Sequence, residues 1–157
     1  MNPSVNISRY QRLDGTVLKL IACLSMFIDH LGAVCFSGMM GFRIIGRLAF
    51  PIYCFLLVEG AVHTRNMKKY ILRMGIFALI SEVPFDLAFY HRLVYTGHQN
   101  VFFTLFLGYL AFCALEYFWD NQKMQLVCVL ALLTVSVFLK ADYGWRGFVF
   151  LLIMYWF

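Results

Sequence analysis

Long apolar blocks alternate with short polar intervals along this chain, and inside each block the apolar residues keep neither to every second position nor to one helical stripe. Hydrophobicity on all sides marks a helix surrounded by apolar material, not a half-exposed strand or a surface helix. Crossing the ~30 Å hydrocarbon layer of a bilayer takes about 20 such residues at 1.5 Å per residue. By that measure residues 1–17 are a polar N-terminal tail and residues 18–157 a membrane domain. The predicted spans run from about Leu18 to Gly38, Ile44 to His63, Tyr70 to Tyr90, Val101 to Trp119 and Met124 to Leu139. Between them lie a Gly-containing turn at Met39–Phe42, the basic loop HTRNMKK, a polar stretch His91–Asn100, a tight turn Asp120–Lys123 and the connection KADYGWRG. A last apolar run, Phe148–Phe157, is too short to cross; ending without a polar cap, it reads as part of a longer protein. The first run has no small-residue cleavage site and is expected to stay as a helix, not to be removed as a signal. The expected fold is all-α: a polytopic transmembrane helix bundle of about five full spans plus a short C-terminal apolar segment.

Composition supports lipid as the solvent. The 157 residues are 62% hydrophobic and 13% charged, with a mean hydropathy of +0.77, against roughly 45–50% and about 25% in soluble domains. A soluble core of this size cannot hide so much apolar surface. Seventeen Phe beside nine Tyr and three Trp suit lipid-facing bulk with a modest interfacial belt. The net charge of +5 is spread over the connections, so the bilayer is the expected partner and nucleic acid is not. Arg9, Arg12 and Lys19 share one face with Arg65, Lys68 and Lys69 if the spans alternate, against Arg43, Arg92, Lys140 and Arg146 on the other. The positive-inside rule then puts the N-terminus in the cytoplasm. Five cysteines, all in apolar stretches and without a CxxC pair, read as packing residues.

Ionisable groups inside the spans change the picture most. Counted at about 1.5 Å per residue, Asp29 and His30 lie roughly 17–18 Å in from Leu18, and Glu82 lies at a matching depth on the third span. Asp86 follows one turn further out. Arg43 and Arg47 enter the second span from the outer face, His98, Gln99 and Asn100 open the fourth there, and Asp142 stands in the outer connection. Each charge in a span costs at least ~2.5–3.5 kcal/mol, so these groups are expected to face a bundle interior or a wet cavity. One reading makes Asp29, Arg47, Glu82 and Asp86 structural pairs that fix helix register. The other makes them line a cavity with His30 at its centre, since imidazole, ordinarily titrating near pH 6.5, takes and returns protons near neutrality. Asp29 points about 100° away from His30 on the same helix, so Glu82 or Asp86 is the better orienting partner. Pro84 is expected to break the third span and Pro51 the second, each beside a charged group. A second polar group, Glu59, His63 and Arg65, falls at the cytoplasmic end of span two. Walker, GxGxxG, GxSxG and HExxH motifs are absent, and the four histidines have no i, i+4 partner, so no metal is expected.

The islands LKLIACLSMFIDHLG at Leu18, GRLAFPIYCFLLVEGAVHTRN at Gly46, KKYILRMGIFALISEVPFDLAF at Lys68, NVFFTLFLGYL at Asn100 and DYGWRG at Asp142 together resemble the TraX family. That family takes its name from a conjugative-plasmid protein that N-acetylates the pilin subunit at its amino terminus. It is similar in outline to multi-span membrane acyltransferases. The resemblance implies a bacterial inner-membrane enzyme moving an acetyl group from acetyl-CoA to an amine or hydroxyl on a pilin-like N-terminus or other envelope molecule. Under it His30 is the base, with Asp29 beside it in the matching DH island. Arg47 stabilises the carbonyl oxygen or the acyl donor, and Glu82 and Asp86 orient the base. Asn100, His98 and Asp142 hold the acceptor. Arg65, Lys68 and Lys69, near His63 and Glu59, meet the phosphates of coenzyme A. Family members are generally longer than this chain.

Two other readings stay open on the residues alone. Midplane acids and broken helices also mark a small ion-coupled transporter, though no inverted repeat is visible. A non-enzymatic membrane scaffold would use the same charges only to pair helices.

Overall fold

The computed structural model describes residues 15–36 and 40–157, and among these every regular element is a helix, without a strand. Seven helices follow in order: α1 (Gly15–Val34), α2 (Met40–Gly46), α3 (Ala49–His63), α4 (Met67–Tyr90), α5 (Val101–Tyr117), α6 (Gln122–Phe138) and α7 (Gly144–Trp156). They divide into two compact units, Met1–Leu56 and Leu57–Phe157. Among the described residues, two stretches are long and apolar enough to cross a membrane: Gly15–Val34, and Met40–His63 taken through the α2–α3 break.

In the first unit, Ala22, Ser25, Asp29 and Gly32 recur at spacings of three and four and so share one face of α1. That face meets α2. A Cβ added at Gly32 would fall 2.4 Å from Phe42 Cβ, and one at Gly46 would fall 2.1 Å from Asp29 Cβ. The absence of side chains there is what lets the backbones close. Ser25 Oγ fixes the contact by donating to the Ile45 carbonyl. The rest of α1 stays uncovered, with Leu20, Leu24 and Phe27 exposed.

The predicted Met39–Phe42 turn needs correction. Met40–Phe42 are the opening turn of α2, while Met39 lies outside the described residues. Phe42 packs on Gly32 and stacks on Phe36 at 5.6 Å, a tertiary contact that overrides the turn preference of Gly41. The second span is interrupted, but at Arg47–Leu48, where α2 ends through Arg47 N to Arg43 O and Leu48 N to Ile45 O. Pro51 therefore sits in the first turn of α3, where its missing N–H would have had no intrahelical partner. Pro84 does not break α4. Bonds on both sides clamp it: Asn100 Nδ2 to Ala78 O before the proline, and Tyr95 N to Asp86 Oδ2 after it.

In the second unit α5 is central and touches α4, α6 and α7. Leu107, Ala111 and Phe148 form its core, with Leu110, Leu132, Leu133 and Leu152 packed around them. The last apolar run begins earlier than predicted, at Gly144, yet its 13 residues still extend only about 20 Å.

Candidate functional site

The C-terminal half of α4 places Ala78, Glu82 and Asp86 at i, i+4 and i+8, along one face. The helix stops at His91, which takes a left-handed cap conformation at φ 55°. The chain then turns back so that Tyr95 stacks on Tyr90 at 4.0 Å and its N–H donates to Asp86 Oδ2 at 2.6 Å. Asn100 closes the loop. Its Oδ1 accepts from Phe102 N at 2.9 Å, capping α5. Its Nδ2 donates to Glu82 Oε2 at 2.6 Å, Ser81 Oγ at 3.1 Å and Ala78 O at 3.2 Å, and its own N–H reaches Glu82 Oε2 at 3.1 Å.

The connection between α6 and α7 completes the group. Asp142 N donates to Gln99 O at 2.9 Å, Thr104 Oγ1 donates to Asp142 O, and His98 Nε2 lies 3.9 Å from Asp142 Oδ1. Lys140 and Tyr143 hold positive φ, 50° and 63°, a conformation non-glycine residues adopt only when their surroundings impose it. Glu82, Asp86, His98, Asn100 and Asp142 thus come together at one end of the second unit.

The cluster is rich in acceptors and short of donors. Asp86 is fully buried and Asn100 is 3% exposed. Glu82 Oε1, Asp86 Oδ1 and Gln99 Oε1 are buried without a hydrogen-bond partner. Each such acceptor costs about 1–3 kcal/mol, and more when charged. Three together favour a ligand that brings N–H or O–H donors, above all an ammonium group.

The other expected residues fall elsewhere. Asp29 and His30 are half-buried neighbours on α1, and Arg47 is exposed at the α2–α3 break. Asp29 Oδ1 is buried and unpartnered against Gly46, and no ion pair joins Asp29 to Arg47 among the described residues. His63 Nδ1 bonds to the Glu59 carbonyl at 2.9 Å within α3, and the Glu59 side chain is exposed. Arg65, Lys68 and Lys69 are exposed around the start of α4, where Asn66 caps the helix through Lys69 N. Thirteen residues of helix, roughly 20 Å, separate Lys69 from Glu82, so the basic group and the acidic cluster are at opposite ends of α4.

Sequence reasoning missed Ser81, Tyr95 and Thr104 as members of the cluster. It also missed Tyr109, Glu116 and Tyr155, which line a cavity of about 220 Å³ near the other end of the second unit. The only sequence signal for that cavity is Glu116, the sole carboxylate in an otherwise apolar span.

A model of the family described as TraX protein matches residues 14–157. The chain is 36% identical over 125 residues to a protein of Dichelobacter nodosus described as a probable fimbrial assembly protein FimC of serogroup H1, covering 71% of this chain and 48% of that protein. It is 29% identical over 116 residues to an uncharacterized protein of Rickettsia prowazekii (strain Madrid E), covering 74% of this chain and 40% of that one. The chain therefore spans half or less of the length of these curated relatives. No solved structure matches it. With the family model covering both helical units and every residue of the acidic cluster, the chain belongs to the TraX family.

Proposed function

We propose that this chain is a multi-pass protein of the bacterial inner membrane that transfers an acetyl group from acetyl-CoA to an amine or hydroxyl acceptor in pilus or fimbria assembly. Family membership and the relative described as a fimbrial assembly protein support the biological setting. Exposed aromatics support the membrane setting. Tyr117, Trp119 and Trp156 ring one end of the second unit and Tyr143 and Trp145 the other, separated by α6, about 25 Å long. Paired aromatic belts at that spacing suit the two faces of a bilayer.

One observation carries the chemistry: Glu82 and Asp86 share a face of α4, and each keeps a buried carboxylate oxygen with no donor. A nucleophilic amine arrives as an ammonium, which these oxygens hold by charge-assisted bonds. It reacts after losing a proton to a base, its nitrogen attacking the thioester carbonyl carbon as negative charge builds on oxygen. Collapse breaks the carbon–sulfur bond, releases coenzyme A and leaves an amide. The family resemblance gives His30 the role of base and Arg47 that of oxyanion stabiliser, and the exposed Arg65, Lys68 and Lys69 meet the donor's phosphates. The test is calorimetric acetyl-CoA binding with a transfer assay on wild type and His30→Ala. Binding in both with transfer in wild type alone is expected. Absence of binding to the wild-type protein would sink the reading.

A second reading rests on the first unit. Asp29 Oδ1 is buried and unpartnered beside the break between α2 and α3, and acids at broken helices also serve ion-coupled transport. It requires pH-driven flux in proteoliposomes with no acyl donor present.

A further inference from the structure

Glu116 stands between two cavities at the end of the second unit away from the acidic cluster, sixteen residues, roughly 24 Å, along α5 from Asn100. One cavity, of about 220 Å³, reaches Tyr109 and Phe112; the other, of about 200 Å³, reaches Trp119 and Trp156; Glu116 and Tyr155 line both. Tyr155 Oη donates to Glu116 Oε1, and its ring stacks on Phe112 with centroids 4.4 Å apart and planes 12° from parallel. Tyr109 is 1% exposed, with the Cys113 thiol beside its Oη. No ion pair neutralises Glu116 among the described residues.

We propose that these cavities are a binding site for a small organic ammonium group, held by the Glu116 carboxylate and by the rings of Phe112, Tyr155, Trp119 and Trp156. The carboxylate accepts N–H donors and supplies the counter-charge. The ring faces attract the cation and its methyl or methylene groups. Tyr109 Oη, whose lone pairs stay free when its O–H points to the Cys113 thiol, accepts a further N–H from an ammonium seated in the first cavity. Each cavity, at about 220 and 200 Å³, falls below the roughly 300–1,000 Å³ usual for drug-sized ligands and suits an amine headgroup better. That group arrives either as a free amine or as the head of an aminophospholipid. Trp119 and Trp156, 76% and 84% exposed, open the second cavity toward the level proposed for the bilayer surface. The site stands apart from the acidic cluster and does not depend on acyl transfer.

The full chain, carrying Trp145→Phe to remove the one remote indole, is placed in phosphatidylglycerol nanodiscs and titrated with methylamine and ethanolamine while tryptophan emission is followed. A saturable change is expected with both amines and none with neutral ethylene glycol. Glu116→Gln, with its melting temperature unchanged, is expected to weaken the half-saturation about tenfold or more, the worth of a hydrogen bond to a charged group. Trp156→Leu, at an exposed position, carries the same test if Glu116→Gln does not fold. In phosphatidylethanolamine discs, loss of the response to added amine identifies the lipid headgroup as occupant, and an unchanged response identifies a free amine; each outcome supports the site. No saturable response in phosphatidylglycerol discs, or an identical one in both folded variants, overturns it.

Discussion

The amide of Asn100 caps α5 with its oxygen and reaches α4 with its nitrogen, so a single side chain ties two helices and one carboxylate together. Asn100→Ala removes the cap, worth about 1 kcal/mol, and strips Glu82 Oε2 of its side-chain donor. A total loss of roughly 2–4 kcal/mol is expected, read as a lowered melting temperature. The cap itself is legible in the sequence, since an Asn directly before an apolar run is a standard helix start. The bonds to Ala78 and Glu82 are not, because nothing local in the pattern says which face of α4 turns toward α5. His91, Lys140 and Tyr143 leave no mark in the sequence either; each takes a conformation that Gly or Asn would ordinarily announce.

Helices were legible as apolar blocks, and their ends shifted where tertiary contacts intervened. Both prolines illustrate the limit. A proline within an apolar run reads as a break, yet Pro51 falls in the opening turn of α3 and Pro84 is held inside a continuous α4 by bonds on either side. A helix that runs on through its proline should accept alanine, so Pro84→Ala is expected to keep the fold and to raise stability, by up to ~3 kcal/mol, in a thermal melt. The α1–α2 contact behaves oppositely. Gly46 has no room for a side chain against Asp29, and Gly46→Val is expected to destabilise the protein by about 1–3 kcal/mol, the usual scale of overpacking. The small residues on that face of α1 were in plain view, but their three-and-four spacing was overshadowed by the charge they flank.

Over the whole molecule, apolar side chains cover the outside as well as the core: Leu20, Leu24, Ile44, Leu72, Leu79, Leu126 and Phe138 are all exposed. Water does not tolerate such a surface on a monomer, and the proposed inner-membrane setting removes it from water. The chain is expected to stay with the membrane fraction through an alkaline carbonate wash and to leave only with detergent. Release by carbonate would contradict the multi-pass reading. The acidic cluster was partly legible at this scale. Depth counting put Asp29, His30, Arg47, Glu82, Asp86, His98, Asn100 and Asp142 toward one side, and of these Glu82, Asp86, His98, Asn100 and Asp142 lie together at one end of the second unit. Their partners came from loop geometry that apolar periodicity does not encode.

Acceptor holding by Glu82 and Asp86, each with one unpartnered carboxylate oxygen, is the central claim, and acetyl transfer from acetyl-CoA to a short peptide with a free N-terminal amine tests it most directly. The comparison is wild type against Asp86→Asn and Glu82→Gln, each checked for an unchanged fold. The account predicts transfer by the wild type. In each variant it predicts a peptide KM raised about tenfold or more with the KM for acetyl-CoA unchanged, the signature of lost acceptor binding. Wild-type protein that binds acetyl-CoA but transfers nothing, or variants with an unaltered peptide KM, would contradict it.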